Sequence, residues 1–187
     1  MTVNQLLSVL KEYDGVIGAV IGTVLGSIST LLVTHWLKNV GKVSIKLKEY
    51  DFQYYKSDDY GGRSPIDMLE EAEYADLQFE IDVYNSAENV KTINDIKFQL
   101  IDDTNAVIHT GKLKDIETGR MSAGAYRYDP FTFLNCKPKE LAKKELKISF
   151  SSSDILLLKI TKKIVIEAKL EGNTFPFKKR LKTTVTL

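Results

Sequence analysis

Two histidines, His35 and His109, and one cysteine, Cys136, are the side chains of this chain best suited to nucleophilic or acid–base work near neutral pH. A Ser–His–Asp or Cys–His system in the soluble region needs His109 as its base, within hydrogen-bond reach of the nucleophile. His109 stands next to Thr110-Gly111 in a stretch that reads as a hairpin strand, and no signature surrounds Cys136. A buried free cysteine behaves as a small apolar residue. Zinc sites built from Cys and His are excluded by the count, barring sharing between subunits. Asp102-Asp103-Asn105 and Asp58-Asp59 are oxygen-rich clusters, but they lack the ligand spacing of a calcium loop and read as turns. Gly61-Gly62 is not followed by the Gly-Lys-Ser/Thr of a phosphate loop. The chain is therefore expected to be no enzyme, with no catalytic, cofactor-binding or metal-ligating residue and no cofactor.

The other informative residues lie on one element. Gly15 to Leu37 runs 23 residues without Asp, Glu, Lys or Arg. As a helix it measures roughly 34 Å, enough to cross a hydrocarbon core of about 30 Å. The spacing predicts a transmembrane helix over 15–38, after a short amphipathic tail over 1–14. Gly18, Gly22, Gly26 and Thr30 recur every fourth residue, so one stripe carries only small side chains. Close backbone approach across such a stripe drives helix association in lipid, and self-association is expected there. His35, Trp36 and Lys38 read as anchors at the membrane interface. A cleavable signal peptide fits less well: the run is long, its amino-terminal flank Lys11-Glu-Tyr-Asp14 is nearly neutral, and no Ala-x-Ala site follows. Lys38, Lys42, Lys46 and Lys48 follow the run and only Lys11 precedes it, which predicts a cytoplasmic carboxyl-terminal region. The single cysteine forms no intramolecular disulfide and agrees with that compartment.

Residues 41–187 form the expected globular domain, and their pattern has period two. In Asp76-Leu-Gln-Phe-Glu-Ile-Asp-Val-Tyr84 the apolar residues Leu77, Phe79, Ile81 and Val83 alternate with polar ones, the mark of a half-buried strand. Val43, Ile45 and Leu47 begin another strand, but the apolar phase then shifts to Tyr50, Phe52 and Tyr54, which predicts a β-bulge near Lys48-Glu49. Ile96, Phe98 and Leu100 lead through Asp102–Asn105 to a hairpin partner over 106–110. Leu146, Ile148 and Phe150 alternate, as do Ile164, Ile166, Ala168 and Leu170, and Gly172-Asn173 predicts a turn into a returning strand that Pro176 marks as an edge. Ser64-Pro65 before Ile66–Ala72 resembles a capped helical turn, and 137–142 reads as a connection into the Leu146 strand. Seven to nine such strands predict a mainly β protein, an antiparallel β-sandwich, immunoglobulin-like first and a jelly roll second.

Charge is balanced overall but not along the chain. Glu49 to Asp82 carries 11 acidic and 2 basic residues, whereas Lys137 to Lys182 carries 13 basic and 5 acidic. Neighbouring strands that compensate one another are the expected reason. The alternative is a basic patch of Lys178, Lys179, Arg180 and Lys182 facing anionic headgroups. Nucleic acid is disfavoured by a near-neutral pI of about 7.7 and by the lack of an aromatic–basic stacking motif.

Val83-Tyr-Asn-Ser-Ala-Glu-Asn-Val-Lys-Thr-Ile-Asn-Asp-Ile-Lys-Phe98 resembles the strand–Asn–Ser–loop signature of sandwich domains in small membrane-anchored bacterial proteins. Phe133-Leu-Asn-Cys-Lys-Pro-Lys-Glu140 is similar to the proline-bearing strand entry of those domains. With the Gly15–Leu37 anchor, the chain resembles uncharacterised single-span proteins of Gram-positive bacteria and their prophages. The resemblance implies no active-site residues. The expected partners are the lipid bilayer, a second copy of the chain through the glycine stripe, and a protein recruited by the sandwich. A membrane-perturbing effector or superinfection-exclusion protein is the alternative, and an extracytoplasmic binding domain the third.

Overall fold

The computed structural model describes residues 14–122, 124–171 and 180–187. The chain divides into two compact units, residues 1–40 and 41–187.

In the first unit, helix α1 spans Asp14–Asn39, 26 residues. It is long and apolar enough to cross a membrane, and none of that window is buried within the protein. Glycine and β-branched residues are poor helix formers in water, so this composition suits an environment in which every backbone group must bond internally. The hydroxyls of Thr23, Ser27 and Thr30 donate to carbonyls four residues back, each at 2.8 Å, so these polar groups are also paired within the helix.

In the second unit the strands are β1 (Val43–Ser57), β2 (Arg63–Ile66), β3 (Tyr74–Asn85), β4 (Lys91–Ile101), β5 (Val107–Gly111) and β6 (Lys114–Asp115). They continue as β7 (Arg120–Ser122), β8 (Ala125–Arg127), β9 (Phe133–Cys136), β10 (Leu141–Phe150), β11 (Lys163–Leu170) and β12 (Arg180–Thr186), with helix α2 (Ser152–Ile160) between β10 and β11. One sheet has the order β2-β1-β3-β10-β6 and the other β12-β11-β4-β5, with β9 also paired to β4 and β7 to β8 as a separate ribbon. Every strand pairing is antiparallel. The run β1-β3-β10-β6 matches the A-B-E-D sheet of an immunoglobulin domain, and β11 between β4 and β12 matches its C-F-G sheet. The first-choice fold is the observed one, and the jelly roll is not.

Alternation explains the core. Leu77, Phe79, Ile81 and Val83 of β3, Phe98 and Leu100 of β4, Leu146 and Ile148 of β10, and Ile164 and Ile166 of β11 are all buried. Phe98 bridges the sheets, its ring 6.1 Å from Phe79 and 6.0 Å from Phe150. The β1–β3 register slips between Leu47 and Tyr50, which is the expected bulge. It turns Phe52 and Tyr54 onto the core's margin, where their rings stack at 5.9 Å.

Two local expectations are corrected or left open, and one helix was not anticipated. Pro65 does not open a helical turn: it lies in β2 opposite Tyr55, on a sheet edge where a residue without an N–H is tolerated, and only Leu69–Glu71 forms a 3-10 turn. Helix α2 was not expected, because Ile155-Leu-Leu-Leu158 has no clear period; its first turn is fixed by the Ser151 N–H donating to Asp154 Oδ2 at 3.0 Å, and Ile155 and Leu158 enter the core. The Gly172-Asn173 turn and Pro176 lie outside the described residues.

The Tyr84-Asn-Ser86 motif has a structural role. Asn85 is fully buried, and its amide donates to the carbonyls of Asn89, Cys136 and Lys137 at 2.8, 2.9 and 3.2 Å. Its side-chain oxygen accepts from the Ala87 N–H at 3.0 Å. Ser86 closes against Lys42: its backbone N–H and its hydroxyl both donate to the Lys42 carbonyl at 3.0 Å, and the Lys42 N–H donates back to the hydroxyl at 2.7 Å.

Candidate functional site

The chemistry-bearing residues are held apart by the ladder that carries them. On β4, Leu100 pairs with His109 and Lys91 pairs with Cys136. Nine residue steps of strand from Lys91 to Leu100 correspond to about 30 Å, so a Cys–His dyad is geometrically excluded. Cys136 is fully buried, and burial pushes its thiol up to about 11.

His109 has acquired neighbours that the sequence did not reveal. Its Nδ1 lies 3.7 Å from Asp154 Oδ1, and its ring is 5.8 Å from that of Phe150. Ser151 Oγ donates to Asp154 Oδ2 at 2.6 Å and lies 2.8 Å from Ser153 Oγ. Burial pushes the Asp154 carboxyl up, but the hydrogen bonds from Ser151 and the charge of His109 outweigh it and hold the group below its ordinary value. The three residue types of a hydrolase triad are therefore together, but wired as a helix cap: the serine bonds the carboxylate rather than the imidazole, so nothing removes its proton.

The acidic clusters are turns. Asp102 Oδ1 accepts from the Thr104 N–H, the Thr104 hydroxyl and the Ala106 N–H, all between 2.8 and 2.9 Å, and Asn105 Oδ1 accepts from Lys163. Asp58 Oδ1 accepts from the N–H groups of Tyr60 and Gly62. Among the described residues, no group of three or more His, Cys, Asp and Glu is placed to hold a metal ion.

The opposite charges of the two halves meet on the outer face of the first sheet, where β3 and β10 are neighbours. Lys147 pairs with Asp76 at 2.8 Å, Lys143 with Glu80 at 3.4 Å and Lys48 with Asp82 at 3.4 Å, while on the other face of β10 Lys144 pairs with Asp115 and Glu117. Compensation between strands, the expected arrangement, is what the ladder produces. Asp82 is left incomplete: its Oδ1 is the only buried side-chain oxygen or nitrogen without a hydrogen-bond partner among the described residues.

Of the basic patch, Lys178 and Lys179 lie outside the described residues. Arg180 pairs with Glu167 at 3.0 Å, and Lys182 is exposed opposite Glu167. On α1, Gly18, Gly22, Gly26 and Thr30 are exposed, as are His35, Trp36 and Lys38 at the other end of the apolar run. Among the described residues, a Cβ built on Gly18, Gly22 or Gly26 would meet no atom within 4 Å beyond the helix's own nearby backbone.

The strand order and the core define an immunoglobulin-like sandwich preceded in sequence by an exposed apolar helix. Residues 41–184 match the YopI Ig-like domain family, and the chain belongs to that family. The SPbeta prophage-derived uncharacterized protein YopI of Bacillus subtilis strain 168 is 24% identical over 167 residues, which is 89% of this chain and 92% of that one. The resemblance to prophage proteins of Gram-positive bacteria is thereby established. Among solved structures, a protein from Archaeoglobus fulgidus is 10% identical with a TM-score of 0.38, covering 75% of this chain and 97% of that one. An uncharacterized beta-sandwich protein from Clostridium difficile 630 is 13% identical with a TM-score of 0.33, covering 75% and 83%.

Proposed function

We propose that the protein is a non-enzymatic, membrane-anchored interaction module: α1 spans the bilayer and self-associates through Gly18, Gly22, Gly26 and Thr30, and the cytoplasmic sandwich recruits a protein partner. The observation that carries this reading is the open face of α1, on which a Cβ at any of three glycines four residues apart would meet no other described residue within 4 Å. In lipid such a face gains from close contact with a second copy, and pairing two sandwiches turns weak single contacts into avidity. The cluster of lysines from Lys38 to Lys48 supports an inward domain.

The test is Gly22→Leu in the full chain, with association measured by energy transfer between labelled copies in vesicles. A leucine on the stripe separates the helices and weakens association about tenfold. Unchanged transfer would sink the reading. The prophage origin of the Bacillus relative favours a second one, a membrane-perturbing effector or exclusion protein. Growth arrest with loss of membrane potential on expression supports the effector, and harmless expression the anchor. An extracytoplasmic binding domain is the third reading, and it requires the opposite topology.

A further inference from the structure

Asp82 stands at the centre of a built notch on the outer face of the first sheet. Its side chain is 91% buried, the complement of a 9% exposure, and its Oδ1 has no hydrogen-bond partner among the described residues. Two rungs of three strands frame it. Lys46 of β1 and Lys143 of β10 lie directly opposite Asp82 on either side, and the next rung places Ser44 and Leu141 on either side of Tyr84. A cavity of about 230 Å³ opens between Ser44, Lys46, Lys48, Asp82, Tyr84 and Leu141. Oδ1 is closed to solvent while Lys48 sits 3.4 Å from Oδ2, and the Lys48 side chain is 53% exposed, so it can swing away from the carboxylate without backbone movement.

The charges select the chemistry. A plain anion would meet the lysines but leave Asp82 Oδ1 unpaired. A plain cation would meet Asp82 and be repelled by Lys46, Lys48 and Lys143. A zwitterion with a phosphate ester and an N–H donor meets both, and each contact is a charge-assisted hydrogen bond. Tyr84 and Leu141 are 40% and 47% exposed beside the cavity, an aromatic and an aliphatic side chain of the kind found where protein meets lipid. In the chain, Ser44 follows Asn39, the last residue of α1, by five residues.

We propose that this notch binds an ethanolamine phosphate headgroup, with Lys46 and Lys48 on the phosphate, Asp82 Oδ1 accepting from the primary ammonium, and Tyr84 and Leu141 against the glycerol end. The lipid source rests on the membrane-anchored reading, whereas the headgroup chemistry does not.

The test uses the full chain in dodecyl maltoside micelles, where binding is measured whether or not α1 spans a bilayer or associates. Native mass spectrometry compares retention of phosphatidylethanolamine with that of phosphatidylcholine of identical acyl chains, whose quaternary ammonium has no N–H to donate. Phosphatidylethanolamine is retained about tenfold better, as one hydrogen bond to a charged group predicts, and Asp82→Asn abolishes the preference. Lys48→Gln, at an exposed position, lowers retention of both lipids and keeps the test valid where Asp82→Asn fails to fold by circular dichroism. Equal retention of the two lipids by the unmodified protein, or an unchanged preference in a folded Asp82→Asn, overturns the site. Equally unchanged retention in Lys48→Gln overturns it as well. Displacement of the lipid by millimolar O-phosphoethanolamine supports the site with a free ester as its source, and resistance to it supports the lipid.

Discussion

At Cys136 the sandwich turns the one thiol of the chain into a packing group. Its pKa rises from 9.0 to about 11 because burial disfavours the thiolate. The folded state therefore keeps a proton that the unfolded chain releases above about pH 9, and stability falls with rising pH from there until the folded thiol also ionises near 11. Below pH 9 the residue adds no pH dependence. Urea midpoints of the full chain measured between about pH 8 and pH 10.5 should fall more steeply for the unmodified protein than for Cys136→Ala. Equal slopes would contradict the buried assignment. The apolar character of Cys136 was legible in the sequence, because no reactive context surrounds it. The pairing of His109 with Asp154 was not, because they are 45 residues apart and one lies on a strand of the second sheet while the other follows a strand of the first. Asp82 is legible as a polar residue of β3, but its burial and its pairing with Lys48 of β1 arise only when the strands assemble, which periodicity does not describe.

At the scale of elements, the long strands were legible because each alternates over a length that only a half-buried strand explains. The bulge in β1 was visible as a change of phase from Leu47 to Tyr50. Short elements were not: α2 has nine residues, and its helical state is decided by the Asp154 cap and by the core that receives Ile155 and Leu158. Gly41, where β1 is approached, makes a sharper statement. It has a φ of +157°, and a Cβ there would collide with the backbone of Ala87. Both sides of that contact are pinned, since Ser86 is bonded to Lys42 and Ala87 to Asn85. Gly41→Ala should destabilise the sandwich by about 1–3 kcal/mol, read from the denaturation midpoint of the full chain. An unchanged midpoint would show that this close approach is not held in solution.

At the scale of the whole molecule, the proposed topology makes a prediction that Cys136 cannot test, because its thiol is buried and held protonated. Tyr60 is 98% exposed at a loop tip, so Tyr60→Cys in a Cys136→Ser background gives a reactive thiol with little effect on packing. A membrane-impermeant maleimide should label it only after cells are opened. Labelling in intact cells would place the sandwich outside and overturn the reading drawn from the lysine distribution. The same distribution was ambiguous in sequence, since an acidic and a basic segment of opposite sign describe a two-faced surface as well as a compensated one. Antiparallel pairing of β3 with β10 decides it, by bringing Lys147 to Asp76 and Lys143 to Glu80.

The sequence by itself determined an apolar helix long enough to cross a bilayer, a row of small residues along it, and a mainly β region whose alternating strands require two packed sheets. These are properties of near neighbours in the chain, where periods of 3.6 and two residues report directly on which face is buried. Tertiary structure alone decided the A-B-E-D and C-F-G pairing, the approach of His109 to Asp154, and the lysine-framed Asp82. Each depends on residues tens of positions apart meeting across a ladder, and the partner of a strand is set by the packing of the whole core rather than by any local pattern.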